Sequence, residues 1–206
     1  MIIEKLKEGA NLSVEIINTQ GTETISVYGK NSDNNSVDLD TAIRLKATES
    51  NWMLYKVQRD QEFLISMFSE ETLAKLALTL YVSRHFSSKE TDSIVEKLRT
   101  LESDLDAADE FIANEIGREY YSFFENKLSC INLKRREINR YDIYYLSPTG
   151  DVAMISEDRK LPNAFVVVYN FSFILKQFKE VIYPELIAYN LSPNQLELLK
   201  RIYLKK

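Results

Sequence analysis

Hydrophobic periodicity first changes character along this chain near Ser69, and that change constrains the fold more than any other feature. Before it, apolar and polar residues alternate, the period-two pattern of strands whose side chains point to opposite faces. Leu12, Val14 and Ile16 alternate in this way, as do Ile25 and Val27 within TETISVY, and Gly21 between them marks a hairpin turn. The polar stretch Lys30–Asp40 reads as a loop. Ala42–Ala47, Trp52–Gln58 and Glu62–Phe68 read as three further strands, with Asn51 and Arg59–Gln61 in tight connections. An antiparallel meander of about five strands follows, and one face of it requires a helical cover.

After Ser69 the apolar spacing becomes helical. Ser69 is placed as an N-cap, Glu70 and Glu71 suit the positive end of the dipole, and Phe68 with Leu73 suggests a hydrophobic staple. Leu73, Leu76, Ala77, Leu80 and Tyr81 form one stripe, which should end near Phe86. Ser87 with Glu90 reads as a capping box that opens a long amphipathic central helix. Its seam is Ile94, Leu98, Leu101, Leu105, Ala108 and Ile112, extended by Ile116, Tyr120 and Phe123, with a weak point at Ser103–Asp106 where helix formers thin out. The C-terminal third repeats the order of strand and helix. Tyr141–Leu146 and Asp151–Ser156 flank the turn Ser147-Pro148-Thr149-Gly150, and Ala164–Tyr169 reads as a buried strand. Ser172 is expected to cap a helix running to Tyr183, and Pro184 to begin a short one. Ser192, Pro193 and Gln195 mark the start of the last helix, with Leu191 and Leu196 as its staple and Lys200, Arg201, Lys205 and Lys206 facing its negative end. The fold class is therefore α+β: the meander covered by helices, the central helix, then a C-terminal hairpin, strand and helices. The 206 residues are read as a single domain, with the boundary between 1–128 and 129–206 as the place where it would divide.

Composition limits the chemistry. Five scattered glycines permit neither a dinucleotide fingerprint nor a P-loop, because phosphate cradles need bare backbone at close spacing. One histidine, His85, and one cysteine, Cys130, build neither a zinc cluster nor an intramolecular disulfide. Cys130 in KLSCINL has alternating apolar neighbours and reads as a small buried residue rather than a nucleophile paired with His85, which suits a helix C-terminus. The segment ESDLDAADE opens like a calcium loop but lacks the turn glycine and the terminal glutamate at the required offsets. The Glu-x-x-His pairs of di-iron sites are missing too. No metal, cofactor or catalytic residue is expected. The opening MIIEKLKEGANLS has no apolar stretch of signal-peptide length, and the longest apolar-rich run, Ala164–Leu175, is too short to cross a bilayer. A cytoplasmic protein that binds neither membrane nor nucleic acid is the expectation.

Net charge is −5, and its distribution is uneven. Eleven acids and four bases between Ser88 and Asn126 give −7, so the remainder is slightly basic. The only dense basic cluster, Lys134, Arg135 and Arg136 with Arg140 nearby, reads as a solvated loop or helix end. Acidity therefore concentrates on the central helix, where a negative surface would steer a positively charged partner. Twelve tyrosines and ten phenylalanines form clusters at Tyr120–Phe124 and Tyr141–Tyr145. Both faces of Tyr141–Leu146 are largely apolar or aromatic, so one of them is free to meet a partner. The candidate partner-binding residues are Glu102, Asp104, Asp106, Asp109, Glu110, Tyr120, Tyr121 and Tyr144.

The stretch Asn51–Phe86, NWMLYKVQRDQEFLISMFSEETLAKLALTLYVSRHF, resembles the tryptophan-containing strand pair and F-S-E-E-capped helix of small immunity proteins from bacterial polymorphic toxin systems. That resemblance implies a cytoplasmic α+β binder that blocks a cognate toxin, commonly a nuclease, and it carries over no catalytic residue. The expected function is a non-catalytic, immunity-type inhibitor that occludes the active site of a basic toxin domain through an acidic and aromatic surface. A structural or regulatory homodimer on the Ile94–Ile112 seam is the alternative, and a carboxylate-dependent metal hydrolase the third reading.

Overall fold

A computed structural model describes residues 11–19, 22–31, 36–87 and 93–205. These fall into two compact units, 11–87 and 93–205. The boundary lies well before residue 128, because residues 121–122 pair with a strand of the second unit.

The first unit is a five-stranded antiparallel sheet in sequence order: β1 (Leu12–Thr19), β2 (Thr22–Lys30), β3 (Val37–Ala47), β4 (Trp52–Gln58) and β5 (Gln61–Phe68). The helix α1 (Glu71–His85) packs on β3, β4 and β5. Register explains the alternation in the sequence. Ile25 lies opposite Leu45, and Leu45 opposite Leu54, so one row of fully buried side chains crosses three strands. The alternate residues Arg44 and Lys46 point to the other face, where both reach Glu62 at 2.7 Å. Burial alone would raise the Glu62 carboxyl, but hydrogen bonds from Lys46 and Arg44 outweigh it and hold it below the usual carboxylate range. Arg59 and Asp60 close β4–β5 with both φ angles positive, the geometry of a two-residue hairpin that follows sheet twist.

Three expectations need adjustment here. The loop Lys30–Asp40 is shorter than its polarity suggests, because β3 begins at Val37, which pairs with Lys30. The cap of α1 is Glu70 rather than Ser69: Glu70 is extended, its carbonyl accepts from Ala74, and its side chain makes no capping bond. Gly21 of the expected turn and Glu90 of the expected Ser87–Glu90 box lie outside the described residues, and the Ser87 hydroxyl donates to the Arg84 carbonyl at 3.1 Å. At the β2 bulge, a side-chain carbon on Gly29 would sit 2.9 Å from the Phe86 ring, so a bare backbone is needed there.

The second unit opens with α2 (Ser93–Thr100) and α3 (Leu105–Glu115). The long central helix is thus not formed. Glu102 takes a left-handed conformation (φ 50°), and Asp104 turns extended to cap a new helix, its carboxylate accepting from the Ala107 amide at 3.0 Å. Ile116, Tyr120 and Phe123, read as the end of the seam, lie beyond α3 and are buried. A second sheet follows in the order β6 (Tyr121–Ser122), β7 (Cys130–Glu137), β8 (Arg140–Leu146) and β9 (Val152–Arg159), with β6 parallel to β7 and the rest antiparallel.

Ala164–Tyr169 is not a strand but the first half of α4 (Asn163–Gln177). A short apolar run has no period, whereas the full buried set, Ala164, Phe165, Val168, Tyr169, Phe171, Ser172, Ile174 and Leu175, recurs at helical spacing. Ser172 accordingly lies buried in mid-helix and caps nothing. The helix α4 packs on β7, β8 and β9, with α2 and the last helix against it. It continues through a π-helical turn, Phe178–Ile182, into α5 (Tyr183–Leu186) with Pro184 in its first turn. The last helix, α6 (Pro193–Leu204), has the expected capping box: the Gln195 amide donates to Ser192 Oγ, and Gln195 Oε1 accepts from the Ser192 amide. Among the described residues, no helix is long and apolar enough to cross a membrane.

Candidate functional site

The acidic segment folds as a turn and a helix start. Glu102, Asp104, Asp106 and Glu110 are exposed, and none forms an ion pair with another described residue. Asp104 is occupied as the N-cap, and Asp106 sits in the first turn of α3, where a negative charge is stabilised by the free amides. Glu110 lies one turn further, beyond that benefit. Like charges four residues apart repel by a few tenths of a kcal/mol. Asp106 and Glu110 therefore present an exposed acidic face, with Arg118 near enough to Glu110 to feel its charge, while Ala108 and Ile112 are buried on the inner side.

Asp109 belongs to the interior. It is buried, paired with the Arg118 guanidinium, and its backbone oxygen accepts from the Tyr121 hydroxyl at 2.6 Å. The hydrogen bond to Asp109 raises the Arg118 guanidinium still further, and burial pushes the Tyr121 phenol well up. The expected aromatic surface is likewise interior. Tyr120, Tyr121 and Tyr144 are all buried. Tyr120 donates to Glu180 at 2.7 Å beneath the ammonium groups of Lys176 and Lys179, and burial with that bond pushes its phenol up to about 12. Tyr144 donates to Asn126. Tyr141, Ile143 and Tyr145 on one side of β8 and Tyr144 on the other are all buried, with Asp142 and Leu146 half-buried, so β8 does not offer the open aromatic face expected.

The remaining chemical candidates are structural in these surroundings. Cys130 is buried, its Sγ donates to the Glu119 carbonyl, and burial pushes its thiol up, the reverse of what a nucleophile needs. His85 stacks on Tyr81 and meets the Phe86 ring edge-on. The basic cluster is the exposed end of strand β7, not a loop or helix end, and Arg140 on β8 pairs with Asp158. Among the described residues no three of histidine, cysteine, aspartate and glutamate converge to hold a metal ion.

One polar centre is invisible to residue-by-residue reading. Tyr145 on β8 is fully buried and its hydroxyl donates to Glu197 at 3.2 Å. Lys200 reaches the same carboxylate at 2.9 Å and the Tyr145 oxygen at 3.1 Å, and Arg201 joins Glu197 to Asp151. The spacing of Glu197 from Lys200 and Arg201 on one helix face was the available signal. Reading the two cations only as dipole partners conceals it. Comparison with protein-family models, curated proteins and solved structures returned no match.

Proposed function

We propose that this chain is a binding protein that neutralises a cognate bacterial toxin by occluding its active site, and that it meets a basic toxin domain through the acidic face of Glu102, Asp106 and Glu110. The supporting observation is that these carboxylates are exposed and unpaired among the described residues, at the start of a helix capped by a fourth acid, Asp104. A field of one sign steers an oppositely charged partner and raises association rates by about 10 to 1,000-fold. The resemblance of Asn51–Phe86 to immunity proteins points the same way, and that segment forms the strand pair β4–β5 and helix α1.

The aromatic half of the expected surface is dropped from this reading, because Tyr120, Tyr121 and Tyr144 are interior. The homodimer seam is favoured by no observation: it is interrupted at 101–104, and Leu98, Ala108 and Ile112 are already buried within the chain. The test is a triple charge reversal, Glu102→Lys, Asp106→Lys and Glu110→Lys, with Asp104 left intact to keep the cap. Toxin neutralisation and association rate should both fall. Neutralisation at wild-type strength by a folded triple variant would refute the proposed surface.

A further inference from the structure

The second unit contains a cavity of about 430 Å³ between the β8–β9 turn, the π-helical turn and α6. That is the size of small-ligand pockets, which combine apolar walls with a few placed polar groups. Phe178, Tyr183, Leu196 and Pro148 supply the apolar walls. Lys200 and Arg201 supply the donors, with Glu197 and Asp151 as their counter-charges.

The donors are held in place. The Lys200 ammonium is bound to Glu197 and to the Tyr145 oxygen, and it lies over the Tyr145 and Phe178 rings at 5.5 and 6.0 Å. Two of its three N–H groups are thereby engaged, which leaves one for the cavity it lines. Arg201 donates through Nε to Glu197 and through Nη2 to Asp151, and its other N–H groups have no hydrogen-bond partner among the described residues. Its plane is fixed from both sides. The frame is rigid too: the capping box sets the start of α6, and the Ser147 hydroxyl accepts from the amides of Thr149 and Asp151 to set the turn.

Burying a lysine, a glutamate and a tyrosine hydroxyl together costs desolvation that an apolar contact between β8 and α6 would avoid. What the network gains is a preorganised pair of donors facing an apolar cavity. A phosphate dianion would bring two charges to a lining whose cations are already balanced. A single carboxylate on a flat apolar body matches the spare donors and the aromatic walls. We propose that this cavity binds a small aromatic monocarboxylate, with Lys200 and Arg201 holding the carboxylate and Phe178 and Tyr183 flanking the ring.

Phenylacetate, titrated into the full-length, isotope-labelled protein and followed by amide NMR shifts, tests this. Shifts should concentrate at 148–151, 178–183 and 193–201. Phenylacetamide should bind about tenfold more weakly, the loss expected for a charge-assisted hydrogen bond reduced to a neutral one. Lys200→Met should weaken phenylacetate by a similar factor. Leu196→Trp, which fills the cavity from its half-buried wall and leaves the network in place, should abolish binding while the unfolding temperature holds. No shifts at these positions with millimolar phenylacetate, equal binding of acid and amide, or binding unchanged in folded Leu196→Trp would each overturn the proposal.

Discussion

Replacing Glu197 with alanine should cost the second unit about 2–3 kcal/mol, a value bracketed by two limits. Glu197 accepts from Lys200 at 2.9 Å, the Tyr145 hydroxyl at 3.2 Å and Arg201 at 3.4 Å. Breaking a fully buried ion pair costs about 3–5 kcal/mol, because the surviving charge is stranded. Breaking an exposed one costs about 0–1 kcal/mol. The Glu197 and Lys200 side chains are 16% and 14% exposed, closer to the buried limit, but Arg201 at 29% can turn to water. The proton of the fully buried Tyr145 hydroxyl loses its acceptor, worth about 1–3 kcal/mol by itself, while its oxygen keeps Lys200. Glu197→Gln keeps an acceptor without the charge and should lose about half as much. Glu96→Ala is the internal control. Its pair with Arg99 has the same i, i+3 spacing, but the side chains are 61% and 51% exposed, so the loss should stay under about 0.5 kcal/mol. Urea unfolding by circular dichroism, with hydrogen exchange at β8 and α6 amides to localise the effect, reads all three. If Glu197→Ala costs no more than Glu96→Ala, burial is not what makes this network matter.

Further outcomes follow from packing and backbone geometry. Leu54→Ala removes a fully buried side chain from the row shared with Leu45 and should cost about 3–4 kcal/mol in urea unfolding of the first unit. Gly117 has φ +107°, and an added side-chain carbon would lie 2.5 Å from a Glu119 carboxylate oxygen; Gly150 has φ +88° with open space around it. Gly150→Ala should cost about 1–2 kcal/mol for the torsion alone, and Gly117→Ala should lower the unfolding midpoint further. Glu62 sits below the usual carboxylate range, so its pairs with Arg44 and Lys46 contribute stability at neutral pH that is lost as pH falls through the carboxylate range below about 4. The stability difference between wild type and Glu62→Gln, measured from pH 7 down to 3, should therefore shrink toward zero.

The parts of the fold legible in the sequence are those where local chemistry and packing agree. In β2 and β3, Ile25 alternates with Thr24 and Ser26, and Leu45 with Arg44 and Lys46, because one face is buried and the other carries Arg44, Lys46 and Glu62. The start of α6 is fixed within three residues by Ser192, Pro193 and Gln195. Where packing overrides pattern, reading fails. Cys130–Leu133 of β7 are buried on both faces, so no alternation marks the strand, and Ala164–Tyr169 is equally apolar around a helix. The heptad spacing from Ile94 to Ile112 is real, yet a left-handed Glu102 and the Asp104 cap divide it, a tertiary choice that spacing does not encode. The candidate site divides in the same way. Exposed Glu102, Asp106 and Glu110 remain available, whereas Asp109 and the three tyrosines form hydrogen bonds inside the second unit that only the folded chain reveals.

The most direct test of the binding account is kinetic. The wild-type protein and the Glu102→Lys, Asp106→Lys, Glu110→Lys variant are each immobilised and exposed to a basic toxin domain that the wild type neutralises, at ionic strengths from 0.02 to 0.5 M. Screening length falls from over 10 Å to about 4 Å across a range of this kind. The account predicts that wild-type association slows steeply with salt, that the variant associates at least about tenfold more slowly at low salt, and that the two converge at high salt. Equal association rates at low salt, or a rate for the wild type that does not respond to salt, would contradict it.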